Sequence, residues 1–162
     1  MFTYKPIILA LYKKINGINE MERFKMAIAV YLVLIKDGKI LLQRRAGTNY
    51  YPGYYGIPCG HVEVGEGCLN ALIREVKEET NLNIKEENIT LLYTLNYFSD
   101  KEYINLFFTA KKYSGTPKIM EPHKCTELKF VELSNLPSNL VPEVRKYLAD
   151  AKNGKVYGEL SY

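Results

Sequence analysis

Three glutamates stand close together in the stretch REVKEETN at residues 74–81. On a helix with about 100° per residue, Glu75, Glu78 and Glu79 form one stripe beside an apolar stripe. Like charges three and four positions apart on a helix repel each other. A hard divalent cation relieves this repulsion, because Mg²⁺ takes carboxylate oxygens and usually shares its shell with substrate phosphates. The spacing therefore indicates a metal site for phosphate chemistry; the alternative is a solvated acidic face on which Arg74 pairs with Glu78.

The residues on both sides of this stretch extend it into a longer motif. Its members are Gly60, Glu66, Arg74, Glu75, Val76, Glu78, Glu79 and Leu82. They resemble the Nudix box, G-x₅-E-x₇-R-E-U-x-E-E-x-G-U with U aliphatic, at every position but one. Asn81 stands where the family has Gly. Because this position ends the helix and needs a left-handed backbone, which Asn tolerates next best after Gly, we expect the loop to be kept.

The resemblance implies a role for each residue of the box. The implied metal ligands are the Gly60 backbone carbonyl, Glu75, Glu78 and Glu79. Glu75 would also be the general base that positions or deprotonates the attacking water. Arg74 would pair with carboxylates of the helix and hold their rotamers, and Glu66 would add ligand charge or loop structure. The implied reaction is hydrolysis of a nucleoside diphosphate linked to a group X, with Mg²⁺ or Mn²⁺ as the cofactor.

Further site residues are implied outside the box, where the resemblance covers residues 26–147 and is most like the MutT-type nucleoside triphosphate pyrophosphohydrolases. LLQRRA is similar to the strand end where that branch places a phosphate-contacting arginine, which maps onto Arg45; a solvated strand end is the alternative. SGTPKIMEP resembles a loop whose acid is a further metal ligand, which maps onto Glu121. The alternatives are Glu127 or no outside acid at all, since a glutamate in a polar loop is more often a plain surface residue.

Two residues are implied in substrate binding. LPSN matches the place where a MutT-type asparagine reads the base edge, so Asn139 is a candidate, with a helix cap as the alternative. Tyr55 stands near the place of a bulky Trp often found in the family, and the usual P-G-G is replaced by PCG at residues 58–60. These departures mean that specificity can differ. The expected substrate is a nucleoside triphosphate, giving a monophosphate and pyrophosphate; ADP-ribose, a sugar nucleotide or a dinucleoside polyphosphate are alternatives.

The fold implied by the resemblance is the Nudix α/β/α sandwich with a mixed β-sheet, and the strand pattern agrees with it. The apolar run at residues 25–35 predicts a buried strand, and Asp37-Gly38 predicts a hairpin to an antiparallel partner at residues 40–45. ITLLYTLNYF and YINLFFTAKKY predict a second hairpin, and ELKFVEL predicts a short strand. Pro142 in a first-turn position predicts a last helix over residues 140–151.

Length and composition bound the class of protein. The 162 residues, 47% hydrophobic and 25% charged, predict one globular domain at residues 25–162 after an N-terminal extension, residues 1–24, that could form a short helix. The net charge of +4 suits an anionic nucleotide and falls short of the clustered charge of a nucleic-acid binder. Nothing in the composition separates a monomer from a homodimer.

The apolar runs and the cysteines predict a cytoplasmic protein. The run MAIAVYLVLI stops after ten residues, about half of what a membrane-spanning helix needs. The start of the chain makes a poor signal peptide. Three cysteines cannot all pair with one another, which favours a reducing compartment.

Three other readings of the sequence remain as alternatives. Cys59-x-His61 and His123-x-Cys125 offer a zinc ligand set if the two segments meet, but the spacing is unusual for zinc, and buried thiols explain the cysteines more simply. The tyrosines of AGTNYYPGYYGIP could stack on a base or simply cover the loop backbone. A non-catalytic nucleotide or RNA binder would use the lysines, but it would not need the complete set of carboxylates.

Overall fold

The computed structural model describes residues 24–98 and 102–161, which hold eleven strands, two α-helices and one 3₁₀ turn. The strands are β1 Ala27–Leu32, β2 Ile35–Lys36, β3 Lys39–Arg45, β4 Tyr55–Gly56, β5 Cys59–His61, β6 Asn83–Ile84, β7 Ile89–Phe98, β8 Tyr103–Ala110, β9 Tyr113–Ser114, β10 Cys125–Glu132 and β11 Tyr157–Ser161. The helices are α1 Cys68–Thr80 and α2 Pro142–Ala151, and the 3₁₀ turn is Glu86–Asn88.

The strands form two large sheets and one small one. The five-stranded sheet has the order β11-β7-β8-β1-β5, in which β1 runs parallel to β8 and β11 runs parallel to β7. The second sheet has the order β10-β3-β2, with β4 also paired to β3. A two-stranded ribbon joins β6 and β9. The mixed sheet predicted from the sequence is therefore confirmed.

The five-stranded sheet lies between two apolar layers because its strands, such as β1, alternate their side chains between two faces. On β1, Val30 and Leu32 pack with Leu72 and Val76 of α1. The neighbouring Tyr31 packs on the other face in the core cluster that includes residues of α2. An aromatic stack, Tyr31, Phe107 and Tyr147, fills this second layer, with ring centroids 4.6 and 4.9 Å apart. The α/β/α sandwich is confirmed.

The first hairpin is shorter than the sequence predicts. Asp37 and Gly38 have φ of 50° and 75°, as a tight hairpin turn requires, but only Ile35 and Lys36 pair across it, with Ile40 and Lys39. The predicted pairing of residues 25–35 with residues 40–45 is wrong, because β1 belongs to the five-stranded sheet and lies between β5 and β8. The main antiparallel partner of β3 is β10 instead. The second hairpin, β7 with β8, is confirmed.

Helix α1 carries the acidic residues and ends as predicted. Asn81 follows it with φ 61° and ψ 9°, the left-handed conformation that usually calls for Gly, and its backbone N–H donates to the carbonyl of Lys77. The Lys77 ammonium donates to the Asn81 side chain at 2.9 Å, away from the glutamates. The replacement of Gly by Asn therefore leaves the turn intact.

Two parts of the chain differ from the predicted elements. The last helix begins at Pro142 rather than at Leu140, and strand β11 behind it was not predicted. The predicted N-terminal extension lies almost wholly outside the described residues, so it stays a prediction. None of the helices in the described residues is long and apolar enough to span a membrane.

Candidate active site

A cavity of about 1010 Å³ opens where the two large sheets approach each other beside α1. Its floor comes from the five-stranded sheet, through residues of β1, β5, β7 and β8. Gln43 and Arg45 of β3 line it from the second sheet, and Glu75 and Glu79 line it from α1. Glu121 and Lys124 of the loop before β10 also line it. The fold therefore brings three of the predicted carboxylates and the predicted phosphate-contacting arginine to one cavity.

Glu75 is held between Arg74 and the backbone of β5. An Arg74 guanidinium nitrogen lies 2.7 Å from Glu75 Oε1. A Cβ atom at residue 60 would overlap the Glu75 carboxyl group, so Gly60 is required for this close approach. Burial raises the pKa of Glu75 above its ordinary value, and Arg74 opposes that shift. The Glu75 carboxylate is thus partly desolvated and lies against β5, where the Gly60 carbonyl is a predicted metal ligand.

Glu79 is the more deeply placed carboxylate of the helix. Its Oε2 accepts a hydrogen bond from the Cys59 backbone N–H at 2.9 Å and another from the Gln43 amide at 3.2 Å. Burial nevertheless raises its pKa to about 7, because these neutral donors offset only part of the desolvation cost. The Cys59 thiol also lines the cavity, and burial with the charge of Glu79 raises its pKa well above the ordinary range.

Glu66, Arg74 and Glu78 lie outside the lining of the cavity. Arg74 donates to both oxygens of Glu66 at 2.9 Å and to the carbonyl of His61 at 3.1 Å. The bonds from Arg74, together with one from the Glu63 backbone N–H, lower the pKa of Glu66 to about 2. Glu78 has a side chain 55% exposed and lies 3.4 Å from Arg74, which is the predicted i,i+4 pair. Arg74 therefore joins three carboxylates to the β5 backbone.

Glu121 reaches the cavity from the loop before β10. Its carboxylate forms an ion pair with Lys124 at 2.7 Å, and its backbone carbonyl accepts bonds from the N–H groups of Lys124 and Cys125. These local bonds fix the loop as a tight turn. Glu127, the alternative outside ligand, lies outside the cavity lining and pairs with Lys129 at 2.8 Å.

Tyr55 and Asn139, which the family resemblance implies in substrate binding, do not line the cavity. The Tyr55 hydroxyl donates to Glu127 and its ring lies 5.3 Å from the Lys129 ammonium. The Asn139 amide donates to the carbonyl of Gly53 at 2.9 Å, and the N-cap of α2 is Val141. The alternative that Asn139 caps this helix is therefore wrong, and the substrate roles of Tyr55 and Asn139 stay predictions.

The donor set around the cavity fits a hard divalent cation, since it consists of carboxylate oxygens, such as those of Glu75, Glu79 and Glu121, and the backbone of a glycine. As the side chains stand, no three His, Cys, Asp or Glu side chains within residues 24–98 and 102–161 converge to hold an ion. Each carboxylate is instead engaged by a protein group: Glu75 and Glu78 by Arg74, Glu79 by Gln43, and Glu121 by Lys124. The same finding leaves the zinc alternative without support.

Two lining residues, Asn105 and Glu143, were not predicted from the sequence as site residues. Asn105 is the one polar residue in the apolar core of the strand YINLFFTA, and it is buried. A polar residue within an apolar strand can be recognised from the sequence, and it indicates a position where a buried polar group needs a partner. Glu143 lies in the first turn of α2 directly after Pro142, and its burial follows from the way α2 packs on the sheet.

A cavity lined by the carboxylates of a helix, inside an α/β/α sandwich, is suited to cleavage of a phosphoric anhydride with a divalent metal ion. The sequence pattern of the NUDIX domain matches residues 23–151, and the chain belongs to the Nudix family. It is a Nudix-type pyrophosphohydrolase. Nudix hydrolases act on nucleotide substrates and generally use divalent metal ions.

Curated relatives carry two different activity names. The ADP-ribose pyrophosphatase of Methanocaldococcus jannaschii is 32% identical over 130 residues, which cover 77% of this chain and 75% of the relative. The 8-oxo-dGTP diphosphatase of Escherichia coli is 26% identical over 125 residues, covering 75% of this chain and 95% of the relative. The relatives therefore leave the particular substrate open.

Among solved structures, the MutT NUDIX hydrolase of Burkholderia pseudomallei matches with a TM-score of 0.72 and 26% identity, covering 78% of this chain and 98% of that one. The MutT protein of Methanosarcina mazei Go1 matches with a TM-score of 0.68 and 22% identity, covering 82% of this chain and all of that one. The first match supports a MutT-like protein, and the second supports the fold.

Proposed function

We propose that the protein hydrolyses a nucleoside triphosphate to a nucleoside monophosphate and pyrophosphate, in a reaction that depends on Mg²⁺ or Mn²⁺. The observation that carries the proposal is the cavity lined together by Glu75 and Glu79 of α1, by Arg45 and by several aromatic rings. Carboxylates, a guanidinium and rings are the groups needed for the metal, the phosphates and the base of one nucleotide. The cavity is also large enough for such a ligand.

In the proposed reaction, Glu75 is the general base. Its carboxylate takes a proton from the attacking water, the water oxygen bonds to a phosphorus, and the bond to the bridging oxygen breaks so that pyrophosphate leaves. Arg74 holds the Glu75 carboxylate in one orientation through its ion pair at 2.7 Å. Glu66 fixes Arg74 in turn, which makes Arg74 and Glu66 positioning residues.

The metal would be held by Glu78, Glu79, the Gly60 carbonyl and Glu121, with Glu75 close by. When bound, it neutralises phosphate charge and prepares the water for attack. Glu79 and Glu121 already line the cavity, whereas the exposed Glu78 turns toward Arg74. The Arg45 guanidinium would contact the phosphates from β3.

The proposal is tested by measuring product release from purified protein with Mg²⁺ and a panel of nucleoside triphosphates, both canonical and with oxidised bases. Pyrophosphate and a nucleoside monophosphate in equal amounts are the expected products. Inorganic phosphate in place of pyrophosphate, or no turnover of any triphosphate, would contradict it.

ADP-ribose is the second candidate substrate, because the archaeal relative at 32% identity is named for that activity. Its hydrolysis would give AMP and ribose 5-phosphate with no pyrophosphate, so the same assay separates the two candidates. A higher kcat/KM for ADP-ribose than for every triphosphate would make ADP-ribose the proposed substrate. The proposed metal-dependent hydrolysis of a phosphoric anhydride would stay the same.

We also propose that the catalytic domain starts near residue 25 and that the protein works in the cytoplasm. The second proposal is supported by the three cysteines, which are all free.

A further inference from the structure

Lys124 is the second cation of the cavity, besides Arg45. The carboxylates that line the cavity are those of Glu63, Glu75, Glu79, Glu121 and Glu143. Among the described lining residues, Arg45 and Lys124 are the only arginine and lysine. A nucleoside triphosphate would add several more negative charges, which repel the carboxylates unless cations lie between them. Each of the two cations therefore matters for the binding of a phosphate chain.

The backbone of Lys124 is fixed against the end of β3. Its carbonyl accepts a hydrogen bond from the Ala46 N–H at 2.8 Å, and its own N–H donates to the Glu121 carbonyl at 2.9 Å. The next residue, Cys125, pairs in register with Arg45. Arg45 and Lys124 therefore reach the same cavity from adjoining backbone segments that hydrogen bonds hold together.

The Lys124 ammonium is paired with one of the proposed metal ligands. It donates to Glu121 Oε1 at 2.7 Å, and the Lys124 side chain is 57% exposed. This ion pair, together with the charges of Glu79 and Glu75, raises the pKa of Lys124, so that the group stays a cation. An ammonium on a flexible four-carbon stem can turn to another acceptor without movement of the backbone. The pair can therefore separate when the Glu121 carboxylate is taken up by a metal ion.

The exposure of Lys124 places its side chain at the mouth of the cavity. The side chain is more than half exposed, whereas Tyr97 and Asn105, which line the floor, are 6% and 2% exposed. Buried aromatic rings are the groups on which a flat base stacks. A nucleotide with its base at the floor therefore presents the far end of its phosphate chain to the mouth, where the nearest ammonium is that of Lys124.

We propose that Lys124 binds the terminal phosphates of the triphosphate, and that Glu121 is its counter-ion while the cavity is free of nucleotide. Arg45 would contact the same phosphate chain from β3, so that a forked guanidinium and a compact ammonium hold it together. The inference rests on the proposed function for the nucleotide. It also concerns the substrate class, because ADP-ribose has no terminal phosphates, and Lys124 would favour a triphosphate over it.

This double role predicts opposite effects on two ligands when the charge of Lys124 is removed. In Lys124→Met the acidic cavity loses a competing cation, so Mn²⁺ added alone should bind about 3-fold more tightly. The phosphate chain loses a charge-assisted hydrogen bond, so a triphosphate should bind about 10-fold more weakly. A purely structural role of Lys124 would weaken the binding of both ligands.

Triphosphate binding is measured by calorimetry with Mg²⁺ on the full-length protein. The ligands are the α,β-methylene analogues of ATP and GTP, in which the bond to be cleaved is replaced, and AMP and GMP, which lack the terminal phosphates. We expect Lys124→Met to bind the analogues about 10-fold more weakly and the monophosphates with unchanged affinity. Lys124→Arg, which keeps the charge, should retain most of the analogue affinity. Unchanged analogue affinity in Lys124→Met, or an equal loss for the monophosphates, would overturn the inference.

Mn²⁺ binding without nucleotide is measured by electron paramagnetic resonance. Lys118→Met is the matched control, since Lys118 is exposed in the same loop and does not line the cavity. We expect this control to leave the affinities for Mn²⁺ and for the analogues unchanged. Unchanged or weaker Mn²⁺ binding in Lys124→Met would contradict the role of Lys124 as the counter-ion of Glu121.

Failure of this inference and failure of the proposed function look different. Weaker analogue binding in Lys124→Met, without hydrolysis of any triphosphate by the unaltered protein, would contradict the reaction and support the phosphate contact. Hydrolysis of triphosphates with the same KM in Lys124→Met and in the unaltered protein would support the reaction and contradict the phosphate contact.

Discussion

Arg74 holds the carboxylates of this site together through its own ion pairs, without a metal ion. Its guanidinium contacts Glu66, Glu75 and Glu78, and it also donates to a backbone carbonyl of β5. A planar group with five donors can hold several carboxylates at once, which an ammonium group cannot do with the same geometry. The repulsion among the glutamates of α1 is therefore relieved in part by the protein itself.

Replacing Glu75 with Gln removes the proposed base and keeps the shape of the side chain. We expect kcat to fall about 10²- to 10⁴-fold with the fold intact, the usual range for a general base. The measurement is pyrophosphate release under saturating substrate, with Glu87→Gln, an exposed residue paired only with Lys85, as the control. Unchanged turnover in Glu75→Gln would remove Glu75 from this role.

The raised pKa of Glu79 predicts how stability depends on pH in protein stripped of metal. The folded-state pKa of about 7 lies above the ordinary value of 4.5, so the protonated carboxyl is favoured by folding. Its contribution is complete below about pH 4 and is lost as the pH rises through 7, at a cost of up to roughly 3 kcal/mol. Glu79→Gln cannot ionise and should lack this loss.

The measurement is urea unfolding of both proteins in a chelator at pH 5 and pH 8. We expect the free energy of unfolding of Glu79→Gln to exceed that of the unaltered protein at pH 8 by clearly more than at pH 5. A difference that is the same at both pH values would show that the carboxylate of Glu79 is not destabilised by burial.

The elements of the chain were predictable where the signal is local. Asp37-Gly38 predicts its turn and the polar segment after β7 predicts the second hairpin, because turn chemistry acts over a few residues. The partner of β1 was not predictable in this way, since a buried apolar strand carries no information about which neighbour it joins. Strand β11 was missed because YGELS is short and contains a glycine and a glutamate, and it is specified by packing on β7 and α2.

The end of α1 offers a test of backbone conformation. We expect Asn81→Ala to lower the free energy of unfolding by about 1 kcal/mol, because Ala is strained at a φ of 61°, and Asn81→Gly to stay within about 0.5 kcal/mol. Denaturant unfolding of the two variants measures both values. Equal stability of the Ala and Gly variants would mean that the helix ends differently.

Strand β11 approaches the core closely at one residue. A Cβ atom at Gly158 would overlap the Tyr93 hydroxyl, which donates to Asp150 at 2.5 Å. We expect Gly158→Ala to destabilise the protein by about 1 to 3 kcal/mol, as overpacking does in other cores. Thermal unfolding measures the change, and Ser161→Ala on the same strand, at an exposed position, should be neutral. A stable Gly158→Ala protein would mean that β11 is packed more loosely.

At the scale of the whole molecule, the candidate site divides into a part that sequence predicts and a part that it does not. The carboxylates of the box and Arg45 can be recognised from their positions in sequence motifs, and the fold brings Glu75, Glu79 and Arg45 to one cavity. Asn105 and Glu143 are far apart in sequence and have no motif. Both line the cavity only because two sheets and α2 close around the same space, which depends on long-range packing.

The position of the cavity between two sheets has a consequence for dynamics. A ligand that contacts both Asn105 in one sheet and Arg45 in the other binds only when both sheets are folded. Neither sheet can then open without release of the ligand. With a bound nucleoside monophosphate and Mg²⁺ at about 100 times the dissociation constant, amides that exchange through global unfolding should exchange about 100-fold more slowly in β3 and in β8 alike. Hydrogen exchange followed by mass spectrometry would show it, and slowing confined to one of the two strands would mean that they open independently.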